Sequence, residues 1–285
     1  MSILESNGND QISRFLEKEE YLSRLDEMET QKLMMGKASV QPWSGDYWPI
    51  AKGVLGARSF DSVFGQLGSW LKRFEFIKSH SASAIIERDG QEGIPKLSPS
   101  EKYDLIIGDD RHRLTASMWN QGKEYHDSTG KVEEWMGICH GWAPAAIAEP
   151  RPKKAIDVNS YDQKYNIHLT PAEVKGLVSF NWATNRFNAV MLGTRCDKKD
   201  PARDENGRLT DPECFDINPA TWHIVVVNKL GLNKEAFVMD AAFDYEVWNQ
   251  PVLEYSYSYF NPKTKKTAAT MIRTLNIDPT RHTHW

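Results

Sequence analysis

The chain of 285 residues has 40% hydrophobic and 26% charged residues, a balance that supports a packed core rather than a disordered segment. Its net charge of -4 provides no basic surface for nucleic acid, and no polybasic run marks a membrane-binding segment. No run approaches the roughly 20 apolar residues that span a bilayer, and the polar, acidic residues 1–20 lack the pattern of a signal peptide. We therefore expect a folded protein that binds neither nucleic acid nor membranes.

The first third of the chain is predicted to be mostly helical. Residues 1–40 and 59–79 have apolar residues at helical spacing, and an aromatic loop rich in Pro and Gly separates them. Residues 80–97 have a mixed pattern that marks a boundary. We therefore predict a helical N-terminal region, residues 1–90, that packs on a catalytic domain, residues 91–285.

Two helix starts are marked by the same four-residue pattern. Ser98-Pro99-Ser100-Glu101 and Thr170-Pro171-Ala172-Glu173 each combine a hydroxyl N-cap, a proline at the first helical position and a glutamate at the third. These capping boxes predict helices that begin directly after Ser98 and Thr170. They are structural signals and carry no chemistry.

From about residue 220 the pattern becomes that of β-strands. β-Branched and aromatic residues predict sequential strands at Trp222–Val227, Ala236–Met239, Leu253–Phe260 and Thr267–Leu275. The short links between them favour an antiparallel meander. Helices first and a sheet later are typical of the α+β class, which we therefore predict.

The three cysteines fall into two groups. Cys196 and Cys214 flank a polar loop, and they either form a disulfide that staples this loop or remain free, buried thiols in a reducing compartment. Under both interpretations Cys139 has no partner cysteine. The reactivity of Cys139 therefore depends on its own surroundings.

Cys139 has the sequence context of a nucleophile. The segment Ala143–Ala148 favours a helix, and Pro144 is tolerated only in a first turn, so Cys139 is predicted at a helix N-terminus. The positive end of the helix and its free N–H groups favour the thiolate and could bind an oxyanion. Gly137 and Gly141 would let a substrate backbone pass close to the sulfur. The alternative is a buried structural cysteine.

Of the eight histidines, His223 is the predicted base. It opens the predicted apolar strand Trp222–Val227, and the next predicted strand ends in Asp240. A hairpin would make His223 and Asp240 cross-strand neighbours, so that the carboxylate fixes the imidazole tautomer and stabilises its charged form. The alternative is a histidine at a strand mouth and an aspartate at a turn.

Three tryptophans are candidate substrate-binding residues. Trp135 and Trp142 flank Cys139 in the sequence and are predicted to form the walls of its slot. Trp43 belongs to the aromatic loop at residues 42–49, which either lines the groove, with an indole N–H for the oxyanion, or packs as a cap on the catalytic core. Packing is the favoured alternative for this loop.

Five segments resemble the elicitor-type transglutaminases of plant-pathogenic oomycetes and their marine bacterial relatives. They are Pro42–Pro49, Ser98–Leu105, Cys139–Ala146, Asn218–His223 and Val247–Val252. The last is similar to the start of the surface peptide by which plants sense the oomycete enzyme, and the similarity to that peptide fades beyond Val252. The resemblance as a whole extends over roughly residues 40–260.

The resemblance implies a papain-like, transglutaminase-like core in which the nucleophile helix packs on an antiparallel sheet. It implies Cys139 as nucleophile, His223 as base and Asp240 as orienting acid, in agreement with the residues themselves. The implied reaction joins a protein glutamine to a lysine or another primary amine through a cysteine thioester. Calcium dependence and secretion are also implied, and secretion suits a disulfide between Cys196 and Cys214.

The calcium ligands cannot be assigned by the resemblance. An acidic loop is the first candidate because carboxylate and amide oxygens bind hard cations, although its spacing is not that of an EF-hand. Its members are Asp197, Asp200, Asp204, Asn206 and Asp211, and Asp109-Asp110 is a weaker second candidate. The alternative is a simply solvated loop.

Two other functions fit the same residues. The first is a cysteine protease or peptidoglycan amidase, for example an exported antibacterial effector, because these differ from a transglutaminase only in acyl donor and acceptor. The second is a non-enzymatic elicitor or binding module that keeps an enzyme-like fold, in which Cys139 is unreactive.

Overall fold

The computed structural model describes residues 11–16, 21–185, 189–215, 217–242 and 244–260. Its helices are α1 (Leu25–Thr30), α2 (Ser62–Gly65), α3 (Trp70–Ser79), α4 (Ala82–Asp89), α5 (Pro99–Ile107), α6 (Arg113–Thr129), α7 (Cys139–Ala148), α8 (Pro171–Thr184) and α9 (Pro219–Val226). Its strands are β1 (Met35–Lys37), β2 (Ile156–Asn159), β3 (Asn166–Leu169), β4 (Phe237–Asp240), β5 (Asn249–Val252) and β6 (Glu254–Ser256). The mixture of helices and antiparallel strands confirms the predicted α+β class.

The described strands pair two by two. β1 and β6 are antiparallel with Gly36 opposite Tyr255, β2 and β3 are antiparallel, and β4 pairs with β5. Of the predicted strands, Ala236–Met239 is confirmed by β4, and Leu253–Phe260 is confirmed in part by β6. The predicted strand Thr267–Leu275 lies outside the described residues.

The strand predicted at Trp222–Val227 is wrong, because these residues belong to α9 and to the π-helical turn that follows it, Val227–Leu232. Pro219 occupies the first turn, and the Asn218 side chain accepts a hydrogen bond from the Ala220 N–H at 2.8 Å, so the helix start is capped. The β-branched residues are buried, and a short apolar run cannot by itself distinguish a buried helix from a strand. The cap therefore outweighs the strand propensity.

The helices of the first third of the chain are shorter than predicted. Within residues 1–40 the described part contains α1 and strand β1, and within residues 59–79 the helix is divided into α2 and α3. The division has a local cause, because Asp61 caps the start of α2 and Ser69 caps the start of α3. Residues 80–97 contain α4 and a 3-10 helix where a boundary was predicted.

The chain folds into two compact units. Unit 1 draws its residues from the ranges 1–41, 186–246 and 251–285, and unit 2 from 42–185 and 247–250. A boundary between residues 90 and 91 would fall inside unit 2, so the division predicted from the sequence is a different one and stays a prediction. In the described part of both units, no helix has the length and apolar character needed to cross a bilayer.

Both predicted capping boxes are present in unit 2. At the start of α5, the Glu101 carboxylate accepts from the Ser98 N–H at 2.8 Å, and the Ser98 hydroxyl accepts from the Glu101 N–H at 3.3 Å. At the start of α8, the Glu173 carboxylate accepts from the Thr170 N–H at 2.7 Å, and the Thr170 hydroxyl accepts from the Glu173 N–H at 3.3 Å. The two predicted helix starts are therefore confirmed.

The capping glutamates also neutralise buried cations. Arg58, with no exposed surface, donates to Glu101 at 2.9 Å. Lys102 donates to Glu173 at 2.5 Å and to the His168 carbonyl at 3.1 Å. Each carboxylate thus caps a helix start and neutralises a buried cation, and these bonds anchor α5 and α8 in the interior of unit 2.

Helix α7 packs on α8. A Cβ on Gly141 of α7 would collide with the Ser179 carbonyl and with Ala183 of α8. Because only glycine allows this approach, Gly141 sets the distance between the two backbones. The sequence suggested a different role for this glycine, that of leaving space for a substrate.

In unit 1, Cys196 and Cys214 form a disulfide. This finding decides between the two alternatives left open by the sequence. Within the described residues, Cys139 is the free cysteine, and it is buried.

Candidate active site

Cys139 begins α7, as predicted, and the backbone before it is tied to the aromatic loop. Ile138 is the N-cap, and its N–H donates to the Tyr47 carbonyl at 2.7 Å. A Cβ on Gly137 would collide with the same carbonyl, so glycine is needed where the two segments touch. The sulfur therefore lies at the N-terminal end of a helix, and Tyr47 holds the backbone directly before it.

The sulfur has two polar neighbours that the sequence analysis did not identify. The Cys139 thiol donates to the Val247 carbonyl at 3.4 Å, and the Asn249 side-chain amide donates to Cys139 Sγ at 3.6 Å. Both belong to the short segment 247–250 that unit 2 takes from the C-terminal part of the chain. The resemblance singled out this segment only as part of a plant-recognised surface peptide. Nothing in its residues indicates a contact with the nucleophile across more than a hundred positions.

The two contacts use the sulfur in different ways. A carbonyl oxygen only accepts, so the Val247 contact requires the S–H proton. The Asn249 contact uses a sulfur lone pair and is available to both thiol and thiolate. Attack on a substrate requires that the thiol give up the proton that it donates to Val247.

An aromatic contact joins segment 247–250 to Tyr47. The Trp248 ring lies 5.2 Å from the Tyr47 ring, and the Tyr47 hydroxyl donates to the Glu134 carbonyl at 3.0 Å. Burial, followed by the nearby carboxylates of Asp46 and Glu134, raises the pKa of Tyr47. Tyr47 is therefore a neutral, anchored ring between the nucleophile helix and segment 247–250.

The three predicted substrate-binding tryptophans have different environments. Trp43 is 2% exposed, and its indole N–H donates to the Glu149 carbonyl at 3.0 Å, so this N–H is not free for an oxyanion. Trp142 is buried and donates to the Trp43 carbonyl at 3.3 Å. Trp135 is half-buried and donates to the Glu133 carboxylate at 2.6 Å. Substrate contacts by these residues stay predictions.

His223 lies on α9 in unit 1, not at the mouth of a strand. Its ring packs edge-on against Tyr257, with 4.6 Å between the ring centroids. Nε2 is buried and has no hydrogen-bond partner among the described residues. Burial lowers the pKa of His223, so the ring is neutral at neutral pH.

Asp240 ends β4 in unit 1 and is exposed. Its carboxylate accepts a hydrogen bond from the Ala242 N–H at 3.1 Å. The predicted cross-strand pairing of His223 with Asp240 is wrong, because His223 is helical and the hairpin on which the pairing depended does not exist. The catalytic roles assigned to the two residues stay predictions.

Three of the five acidic-loop candidates for calcium have other partners in the structure. In the described ranges no three His, Cys, Asp or Glu side chains come together as metal ligands. Asp197 pairs with Arg195 at 2.7 Å, Asp211 pairs with Lys198, and Asp204 accepts from neighbouring backbone N–H groups. A cleft of about 350 Å³ beside these residues is lined by basic and acidic side chains alike. Calcium dependence stays a prediction, and no chemical step is derived through calcium.

Two comparisons with known proteins place the chain. The family model described as transglutaminase elicitor matches residues 15–279. The crystal structure of the GP42 transglutaminase from Phytophthora sojae matches with a TM-score of 0.59 and 22% identity, over 88% of this chain and 63% of the GP42 chain. This chain therefore spans less than two thirds of GP42. A search of the curated proteins gave no match.

The fold is that of a transglutaminase-like α+β protein with a cysteine at the start of a helix. The chain belongs to the transglutaminase elicitor family. The family resemblance inferred from the five sequence segments is therefore confirmed.

Proposed function

We propose that this protein is a protein-glutamine γ-glutamyltransferase that forms a thioester on Cys139 and passes the acyl group to a primary amine. The observation that carries the proposal is the position of Cys139 at the start of α7, with the Asn249 amide at its sulfur, in a chain of the transglutaminase elicitor family. The assignment of the chain to this family, with a transglutaminase-like fold, does not depend on the proposed reaction.

The reaction proceeds in two halves. The Cys139 thiolate attacks the carboxamide carbon of a protein glutamine, and the C–N bond breaks as the leaving nitrogen takes a proton and departs as ammonia. The amine of a lysine or another substrate then attacks the thioester carbon. The C–S bond breaks, the attacking nitrogen loses a proton, and the isopeptide and the free thiol are formed. Water in place of the amine would give deamidation.

His223 is proposed to move both protons. Its lowered pKa, caused by burial, keeps the ring neutral and able to accept a proton. The buried Nε2 has no partner among the described residues, so this nitrogen is not committed to another hydrogen bond. We assign Asp240 the supporting role of orienting acid, on the resemblance alone.

Aromatic residues are proposed to border the carboxamide. Tyr47 and Trp248 lie in contact next to the residues that reach the sulfur, and Trp135 is half-buried in the segment before it. Trp43 and Trp142 are packed, so they would shape the slot from behind. Exclusion of water by such a slot favours the amine over hydrolysis.

Secretion and calcium dependence are part of the proposal by resemblance. The Cys196–Cys214 disulfide supports an oxidising location, because such bonds are rare in reducing compartments.

The test is amine incorporation by the full chain. The protein is incubated with a glutamine-bearing protein and a labelled primary amine, with and without calcium, next to Cys139→Ala. We expect labelling by the wild type and none by the variant. Cleavage of the acceptor protein or of peptidoglycan would instead identify a hydrolase, and the absence of both reactions would favour a non-enzymatic binding module.

A further inference from the structure

We infer that Asn249 is a catalytic residue whose side-chain amide binds the oxyanion formed when Cys139 attacks the glutamine carboxamide. This inference rests on the proposed function and adds a residue to it. The observation is the 3.6 Å contact between Asn249 Nδ2 and Cys139 Sγ.

The position of the amide matches the position at which charge develops. In the tetrahedral intermediate the acyl carbon is bonded to the sulfur, and the oxyanion is one bond further away. A donor in van der Waals contact with the sulfur is therefore close to hydrogen-bonding distance from that oxygen. Cys139 is the first residue of α7, and the first N–H groups of a helix have no i−4 acceptor within it, so one of them is the proposed second donor.

The hydrogen bonds around the sulfur fix which end of the Asn249 amide faces it. The Nδ2 end of the Asn249 amide lies 3.6 Å from Cys139 Sγ, whose lone pairs can accept from it. The NH₂ group is then the favourable end, whereas the amide oxygen would meet a lone pair. The donor, not the acceptor, of Asn249 therefore points at the reacting atoms.

One residue holds the nucleophile and the proposed donor in place. The Tyr47 carbonyl accepts from the N–H of Ile138, the residue before Cys139. The Tyr47 ring packs on Trp248, the residue before Asn249. The relative position of sulfur and amide is thus set before substrate binds, which is the condition for electrostatic stabilisation of a transition state.

The test separates an oxyanion donor from a residue that only activates the thiol. The full chain carries Asn249→Ala, which removes the amide, or Asn249→Asp, which keeps its shape but replaces the N–H donor with an acceptor. Gln250→Ala, on the adjacent residue, is the matched control. Each protein is measured for kcat and KM in amine incorporation and for the rate at which iodoacetamide alkylates Cys139. Alkylation needs the thiolate but forms no oxyanion.

We expect both Asn249 variants to lose about 10²–10³-fold in kcat, with KM and the alkylation rate of Asn249→Ala changed no more than about threefold. Gln250→Ala should behave as wild type. A kcat of either Asn249 variant within threefold of the control would overturn the inference. So would an alkylation rate of Asn249→Ala that falls in proportion to kcat, because the amide would then act on the thiol or on folding. A wild type that is alkylated at Cys139 but incorporates no amine would overturn the proposed function itself.

Discussion

The two units differ in whether their buried polar groups have hydrogen-bond or ion-pair partners. In unit 2 the buried charges are paired, since Arg58 binds Glu101 and Lys102 binds Glu173. In the described part of unit 1, three atoms of different chemistry are buried without a hydrogen-bond partner: Glu29 Oε1, Thr221 Oγ1 and His223 Nε2. The unpartnered atoms of unit 2 are mainly indole N–H groups of packed tryptophans.

This difference indicates which parts of the molecule are scaffold. Leaving a buried polar group unpaired costs about 1–3 kcal/mol, a cost that unit 2 avoids for its carboxylates. In unit 1 the unpaired atoms include His223 Nε2, and the His223 ring packs against Tyr257. We interpret unit 2, whose buried carboxylates Glu101 and Glu173 are paired, as the framework around the nucleophile. Unit 1 keeps the His223 Nε2 atom available for a partner.

The largest expected effect tests whether the unpartnered imidazole of unit 1 is the base. His223→Ala should lower kcat for amine incorporation by about 10²–10⁴-fold, because the proton transfers would lose their general acid and base. His140→Ala is the matched control, since His140 follows Cys139 in the chain but points its side chain away from the adjacent position. Steady-state kinetics of both variants measure the effect. If His140→Ala lost activity while His223→Ala kept it, the catalytic base would belong to unit 2 instead.

The second prediction concerns the paired interior of unit 2. Arg58→Met leaves Glu101 buried and uncompensated, so we expect the free energy of unfolding to fall by about 3–5 kcal/mol. Lys123→Ala breaks an exposed pair with Asp127 one helical turn away and should cost only about 0.3–0.5 kcal/mol. Urea unfolding of both variants measures the difference. Equal losses of unfolding free energy in the two variants would mean that the buried ion pairs do not distinguish the interior of unit 2.

The elements with local signals could be predicted from the sequence. Ser98 and Thr170 each combine with a proline and a glutamate, and these bonds form between neighbouring residues whatever the rest of the fold does. The start of α7 at Cys139 was also predicted, but the argument from Pro144 was wrong, because Pro144 is the sixth residue of the helix and lies beyond its first turn.

The misassigned elements depend on tertiary context. The Trp222–Val227 run has strand propensity, but its residues are buried in a helix that Asn218 caps. The contact of Asn249 with Cys139 joins distant segments through folding, and no local pattern encodes it. His223 was singled out for a strand context that does not exist, so its proposed role now depends on burial and an unpartnered nitrogen.

The third prediction concerns the covalent link in unit 1. Replacing both cysteines by serine, Cys196→Ser with Cys214→Ser, should lower the free energy of unfolding by about 3 kcal/mol, because the loop of 18 residues becomes free in the unfolded chain. Reduction of the wild type with dithiothreitol should reproduce the loss, and the double variant should not respond to it. A variant as stable as the oxidised wild type would show that the bond does not stabilise unit 1.

The smallest expected effect is a pH dependence of stability that belongs to the imidazole of unit 1. Burial lowers the pKa of His223 below its usual value of 6.5, so the unfolded chain binds the proton more readily than the folded one. Stability is therefore fully present above pH 6.5 and is lost as the pH falls below it. His223→Gln cannot be protonated there and should flatten this part of the profile, measured by urea unfolding between pH 5 and 8. His140, whose pKa burial also lowers, is the control, and His140→Gln should leave the contribution of His223 in place. If the wild type and His223→Gln lost stability in parallel, the imidazole of unit 1 would be solvated, and its unpartnered nitrogen would carry no special meaning.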